Sequence, residues 1–141
     1  MLENYEESFD KDAFLQKVME DGQLTKSKAV EICRKSIPKE AYYQRKLLKG
    51  LKEKYPEAFI VKIAQGAYSQ GGLPDILVIL GGHYFGFEVK RPLIGEVSKL
   101  QEMTMARIRT AGGTAEVVSW PEEAIWVIER WRGESNGRSK Q

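Results

Sequence analysis

Asp75, Glu88 and Lys90 are charged residues set in an apolar stretch rich in β-branched and aromatic side chains, "GGLPDILVILGGHYFGFEVKRP", Gly71 to Pro92. Gly81-Gly82 in its middle is a two-residue hairpin signal. Counting outward from that turn, Leu80 faces His83, Ile79 faces Tyr84, and Asp75 falls opposite Glu88. Directly opposed residues of an antiparallel pair have Cβ atoms about 4.5–5.5 Å apart. Lys90, two residues beyond Glu88, points to the same face. Opposed like charges destabilise a strand pair, and burial raises that cost. A divalent cation such as Mg²⁺ or Mn²⁺ relieves it, because paired carboxylate oxygens are its preferred ligands. The other reading is a plain Asp/Glu/Lys ion-pair cluster on a solvent-facing sheet. Two features weigh against it. The surrounding hairpin is apolar, and the charges sit at the strand ends beside the irregular segments "QGAYSQGG" and "RPLIG", where sites gather on a rigid scaffold.

Elements that position these residues follow from periodicity and punctuation. A helix is expected from about Pro38 to Lys54, with Pro38 in its first turn and Ser36 as a possible cap. Its stripe of Glu40, Gln44, Leu47, Leu48 and Leu51 places Glu40 on the buried face. Strands follow over 59–64, 73–80 and 83–90, then a helix over about 96–110 carrying Gln101 and ended by Gly112-Gly113. "TAEVVSW" reads as a fourth strand and "PEEAIWVIERW" as a last helix. The last strand follows its predecessor through a helix, which predicts a parallel neighbour reached by a right-handed crossover. The expected fold class is α/β, a mixed four-stranded sheet flanked by helices. In front, "SFDKDAFLQKVMED" and "LTKSKAVEICRK", with Thr25 as cap, suggest an N-terminal helical appendage over 1–36. The core is expected over 37–132, followed by a polar tail without structure over 133–141.

Composition narrows the classes. Of 141 residues, 42% are hydrophobic, enough for an ordinary core in one domain. No apolar run approaches the roughly 20 residues of a membrane span, and no secretory signal is visible at the N-terminus. A single cysteine, Cys33, excludes an intrachain disulfide and argues against a thiolate zinc site, so an intracellular setting is the expectation. The net charge is only +2, but residues 1–31 carry 4 Lys/Arg against 8 Asp/Glu, and residues 32–62 carry 9 against 3. The basic zone "RKSIPKEAYYQRKLLKGLKEKY" is of a kind that binds phosphates or forms a solvated helix face.

"LPD" at 73–75, twelve residues, then "EVK" at 88–90 resembles the PD-(D/E)xK nuclease motif. With Glu40 and Gln44 in the first core helix, "FGFEVKRP", Gln101 in "SKLQEM", and "AGGTAEVV", the resemblance narrows to the VRR-NUC family of that superfamily. It covers about residues 38–129. The segment "RPLIGEVSKLQ" departs from the small polar run common there, which leaves open where the later helix begins. The resemblance implies a restriction-endonuclease-like core and metal-dependent phosphodiester hydrolysis. Asp75 and Glu88 would ligate Mg²⁺ or Mn²⁺ with the Val89 carbonyl, and Glu40 would approach the metal from its helix. Lys90 would orient or help deprotonate the attacking water, and Gln101 would orient Lys90, a water or a phosphate. It also implies DNA, preferably branched such as a Holliday junction, as substrate and a homodimer as the acting form. The rival class is a non-catalytic nucleic-acid-binding module on the same scaffold.

Bland readings stand beside these. Glu40 is also a first-turn acid favoured by the helix dipole, and Gln101 also an ordinary surface residue. Arg45, Lys46, Lys49, Lys62, Ser69 and Arg91 are candidate DNA contacts, with solvated charge or loop polarity as the alternative. His83 reads as a turn residue far from the site. Trp120, Trp126 and Trp131 read as core or interface anchors.

Overall fold

The computed structural model describes residues 16, 19–64 and 71–139. Of the expected helix over 8–21, residues 16 and 19–21 are described and are helical; the rest of it and the candidate Ser69 lie outside the described residues. The elements are α1 (Lys26–Ser36), α2 (Glu40–Lys54), β1 (Phe59–Lys62), β2 (Ile76–Leu80), β3 (His83–Val89), α3 (Lys99–Thr110), β4 (Thr114–Val118) and α4 (Pro121–Ser139). The sheet order is β1-β2-β3-β4, antiparallel across the first two pairs and parallel between β3 and β4. It is the mixed sheet the α/β pattern predicts, with α3 as the crossover.

The hairpin register is the one counted from the turn. Leu80 pairs with His83, Ile79 with Tyr84, and the ladder closes at Ile76 with Phe87. Both turn glycines have positive φ, 58° at Gly81 and 77° at Gly82, as a two-residue type I′ turn demands. The alternation of the strands then sorts the layers. Ile60, Ile76, Val78, Phe85 and Phe87 face one way and pack in a single core with Tyr43, Leu47 and Leu51 of α2 and Ala124 and Ile128 of α4. Trp131 meets Phe85 edge-on at 5.4 Å, and Trp120 meets Tyr43 at 5.5 Å. Trp126, by contrast, is exposed, so only two of the three tryptophans anchor the core. Tyr84, Gly86 and Glu88 point to the opposite face, where α3 lies and Gln101 meets Glu88. Among the described residues no helix is long and apolar enough to cross a membrane.

Several boundaries differ from expectation for local reasons. Strand β2 begins at Ile76 rather than Leu73, because Pro74 has no N–H to give a ladder. Helix α2 begins at Glu40. Ser36 closes α1 instead of capping α2, whose N-cap, Lys39, makes no side-chain cap bond. Helix α3 begins at Lys99, behind Ser98. Thr25 does cap α1, its hydroxyl accepting from the Lys28 N–H at 3.2 Å. Helix α4 continues to Ser139 through the stretch expected to be an unstructured tail, because Arg130–Glu134 pairing at i,i+4 and the lack of a proline let it propagate.

Gly86 is the residue that lets the proline of "LPD" lie on β3. A Cβ at this position would stand 2.8 Å from Pro74 Cγ and 2.9 Å from Tyr84 Oη. The pyrrolidine ring cannot swing away, so Gly86→Ala must push the Pro74–Asp75 corner off the sheet. Urea unfolding should show a loss of about 1–3 kcal/mol. An unchanged or raised midpoint would mean that this close approach does not exist.

Candidate metal centre

Four parts of the chain deliver five side chains to the open end of the hairpin: Glu40 from α2, Asp75 just before β2, Glu88 and Lys90 at the end of β3, and Gln101 from α3. Asp75 sits one position past the last ladder pair, where the register continues opposite Glu88. Its carbonyl accepts the Ile63 N–H at 2.8 Å, which fixes the main chain on the β1 side. Its Oδ2 accepts the Val89 N–H at 2.7 Å. A strand residue sends its N–H and C=O to the same edge. The Val89 carbonyl therefore faces the Asp75 side as well, away from β4.

Glu88 is 1% exposed. Its Oε1 accepts from Gln101 Nε2 at 2.8 Å, while Oε2 is buried and has no hydrogen-bond partner among the described residues. Lys90 Nζ stands 3.8 Å from Glu88 Oε1 and 3.7 Å from Oε1 of Glu40, the first residue of α2. The Lys90 side chain is only 15% exposed, so the ammonium is shared between two acids in a mostly dry setting. Its main chain is pinned on both sides. The Lys90 N–H donates to Val118 O at 3.0 Å, and Ser119 Oγ donates to the Lys90 carbonyl at 2.7 Å.

Oxygens of Glu40, Asp75 and Glu88 lie within 4.8 Å of one another. Two oxygens on opposite sides of an ion at about 2.1 Å are about 4.2 Å apart, so small side-chain adjustments suffice for one Mg²⁺-sized cation. The donor set fits such an ion on a further ground: Glu88 Oε2 is an orphaned acceptor that a cation would satisfy. Without one, the carboxyl resolves its position by holding a proton. Burial, then the hydrogen-bonding and charge influence of Asp75, pushes Glu88 up to about 8, with Lys90 opposing and Glu40 adding to the rise.

Gln101 shows how its helix serves this site. Its N–H donates to Ser98 Oγ at 3.1 Å and its Oε1 accepts the Ser98 N–H at 2.9 Å, a capping box. With Oε1 held, the NH₂ end turns to Glu88. The amide thus holds Glu88, a partner beyond the expected Lys90, water or phosphate. The S-x-x-Q spacing at 98–101 is a readable signal for that cap, and with it for the helix start.

The other candidates separate. Arg45, Lys49 and Lys62 are exposed. Lys46 is half-buried over the Tyr42 and Trp120 rings, at 5.7 and 6.0 Å, so its stem packs rather than reaching into solvent. Arg91 donates from its guanidinium to three main-chain carbonyls, Pro38 at 2.8 Å, Arg34 at 2.8 Å and Ile37 at 2.6 Å, so its Nε and Nη2 are engaged within the protein. His83 lies beside the turn, stacked on Trp131 at 4.4 Å and bonded to Thr114 Oγ1 at 2.8 Å, remote from the acids.

No family model and no curated protein matches the chain. Among solved structures, one described as a VRR_NUC domain superposes with a TM-score of 0.50 at 27% identity, covering 62% of this chain and 95% of that one.

The raised Glu88 carboxyl has a signed consequence. The folded protein keeps this proton up to about pH 8, while the unfolded chain releases it above its ordinary value of 4.5. The contribution is present in full below 4.5 and is lost as pH rises through the folded value. In a chelator, the thermal midpoint of the wild type should fall from about pH 5 to pH 8 more steeply than that of Glu88→Gln. Mg²⁺ should raise the wild-type midpoint at pH 8 and leave Glu88→Gln nearly unmoved. Equal slopes for the two proteins would remove Glu88 as the titrating group.

Proposed function

The chain belongs to the VRR-NUC domain family of the PD-(D/E)xK nucleases, and on that premise we propose that it is a divalent-metal-dependent DNA endonuclease. The reading is carried by one observation: three carboxylates and one largely buried ammonium meet at the open end of the hairpin, where one Glu88 oxygen has no hydrogen-bond partner among the described residues. Asp75 and Glu88, with Glu40 and the Val89 carbonyl beside them, are the residues that would hold Mg²⁺ or Mn²⁺. When bound, such a cation makes a water more acidic and neutralises charge that grows on the phosphate oxygens. Lys90 supplies the second positive charge. Held between Glu40 and Glu88, its ammonium orients the attacking water and donates to a non-bridging phosphate oxygen as negative charge builds there. Water attacks phosphorus, the opposite ester bond breaks, and the products are a phosphate monoester and a free hydroxyl. Gln101 keeps Glu88 turned toward the centre throughout.

Exposed Arg45, Lys49 and Lys52 line a shallow groove on α2 with Leu48 and Glu53, a surface suited to sequence-independent phosphate contacts. Branched DNA, with a Holliday junction as the type, is the preferred substrate in this reading. A two-fold homodimer is the acting form, since it offers two sites to two strands for symmetric incision.

Linear, flapped, forked and four-way DNA, each with Mg²⁺ or Mn²⁺, tests the reading. Wild type should cut, with the four-way junction preferred, and Asp75→Ala or Lys90→Ala should cut at least about 10²-fold more slowly. Junction binding in chelator should be retained by both variants and should weaken as salt rises. A wild type that binds DNA but cuts nothing with either metal leaves only the non-catalytic module.

A further inference from the structure

We propose that Arg91 is a positioning residue, whose guanidinium clamps the α1–α2 connection and so sets Glu40 against Lys90 and the Asp75–Glu88 pair. The inference rests on the metal-site reading above and deepens it. Helix α1 ends at Ser36 and α2 begins at Glu40, so three residues join them. The start of α2 has no side-chain cap of its own. Its place is held instead from the segment just past β3: Arg91 Nε donates to Pro38 O at 2.8 Å, and Nη2 to Ile37 O at 2.6 Å and Arg34 O at 2.8 Å. Glu40 follows Pro38 by two residues, so the carbonyls that Arg91 grips govern where that carboxylate stands.

The fork is the right chemistry for this task. A planar guanidinium presents several donors in fixed directions, and the last carbonyls of a helix favour a cation. A lysine carries the charge without the fork. Arg91 also grips from a firm base. Its neighbour Lys90 is tied to β4 at its N–H and to Ser119 at its carbonyl, independently of the clamp. Loosening the fork therefore moves Glu40 relative to a stationary Lys90. It does not move the Asp75–Val89 contact, which lies within the hairpin. One side chain thus couples the helix in front of the core to the acid that completes the metal centre.

Arg91→Lys keeps the charge and removes the fork; Arg91→Gln is carried beside it, so that a folding failure of one leaves the other to read. Mn²⁺ affinity is measured by calorimetry without DNA, and four-way junction affinity in chelator. Folding is checked by circular dichroism. The variant should bind Mn²⁺ about tenfold more weakly than wild type, as loss of a ligand's supporting contact does. Its junction affinity should stay within about twofold, since Nε and Nη2 of the guanidinium are spent on main-chain carbonyls. In a Glu40→Ala background the same substitution should cost no further Mn²⁺ affinity, because both changes remove one ligand. Full additivity with Glu40→Ala, or wild-type Mn²⁺ affinity in Arg91→Lys, overturns the inference. A loss of junction affinity with Mn²⁺ binding intact would make Arg91 a phosphate contact, which also overturns it. A wild type that itself binds no Mn²⁺ overturns the metal-site reading and this inference with it.

Discussion

A carboxylate buried with one oxygen unpartnered is the constraint around which this molecule is arranged. Among the described residues Glu88 Oε2 has no hydrogen-bond partner, and its other oxygen is held by Gln101 with Lys90 nearby. Removing an ionised carboxylate from water costs several kcal/mol unless charge and hydrogen bonds are returned to it. The fold returns some of both and withholds the rest. That shortfall lets the centre take up a proton or a cation, whichever is offered. A fully satisfied Glu88 would make a more stable sheet and a poorer ligand.

The elements around Glu88 each remove a degree of freedom. The type I′ turn sets the register, and the register places Asp75 one step past Ile76 and opposite Glu88. The close fit of Pro74 on Gly86 holds that corner down. The capping box at Ser98 fixes the Gln101 amide, and a fixed amide fixes Glu88. The core beneath is assembled from the other face of the same strands, by Phe85, Phe87 and Val78 against α2 and α4. Strand alternation therefore separates the packing face, which stabilises, from the site face, which is left in debt to a ligand.

Much of this was legible in the sequence because it is local or periodic. The hairpin register needed only Gly81-Gly82 and counting, since a period of two leaves no freedom once the turn is set. The spacing of Glu40 to Leu47 and Leu51 placed it on the side of α2 that faces the sheet, where it meets Lys90, although its side chain stays 41% exposed. What escaped is what depends on groups far apart in sequence. Nothing near Arg91 says that it grips carbonyls at Arg34, Ile37 and Pro38; a basic residue beside a motif lysine reads as a phosphate contact until its donors are traced. Ser36 as a cap failed for a related reason, because a serine that closes one helix and one that opens the next look alike when three residues separate them. Lys46 reads as free charge, but its long stem lies over Tyr42 and Trp120, and Trp120 comes from the other end of the chain.

The charge count at the site bears on which occupant it suits. When all are ionised, Glu40, Asp75 and Glu88 carry three negative charges against the single ammonium of Lys90. The excess is two, the charge of one divalent cation. A second lysine would balance the acids only in part and would compete for the space between them. Lys90 stands 3.7 and 3.8 Å from its two acids, outside close hydrogen-bond range, so it neutralises without capturing either oxygen. The protonated Glu88 of the metal-free protein relieves one of the two excess charges; a cation relieves both and displaces the proton. Binding is therefore expected to release a proton near neutral pH, coupling occupancy of the centre to its own electrostatic relief.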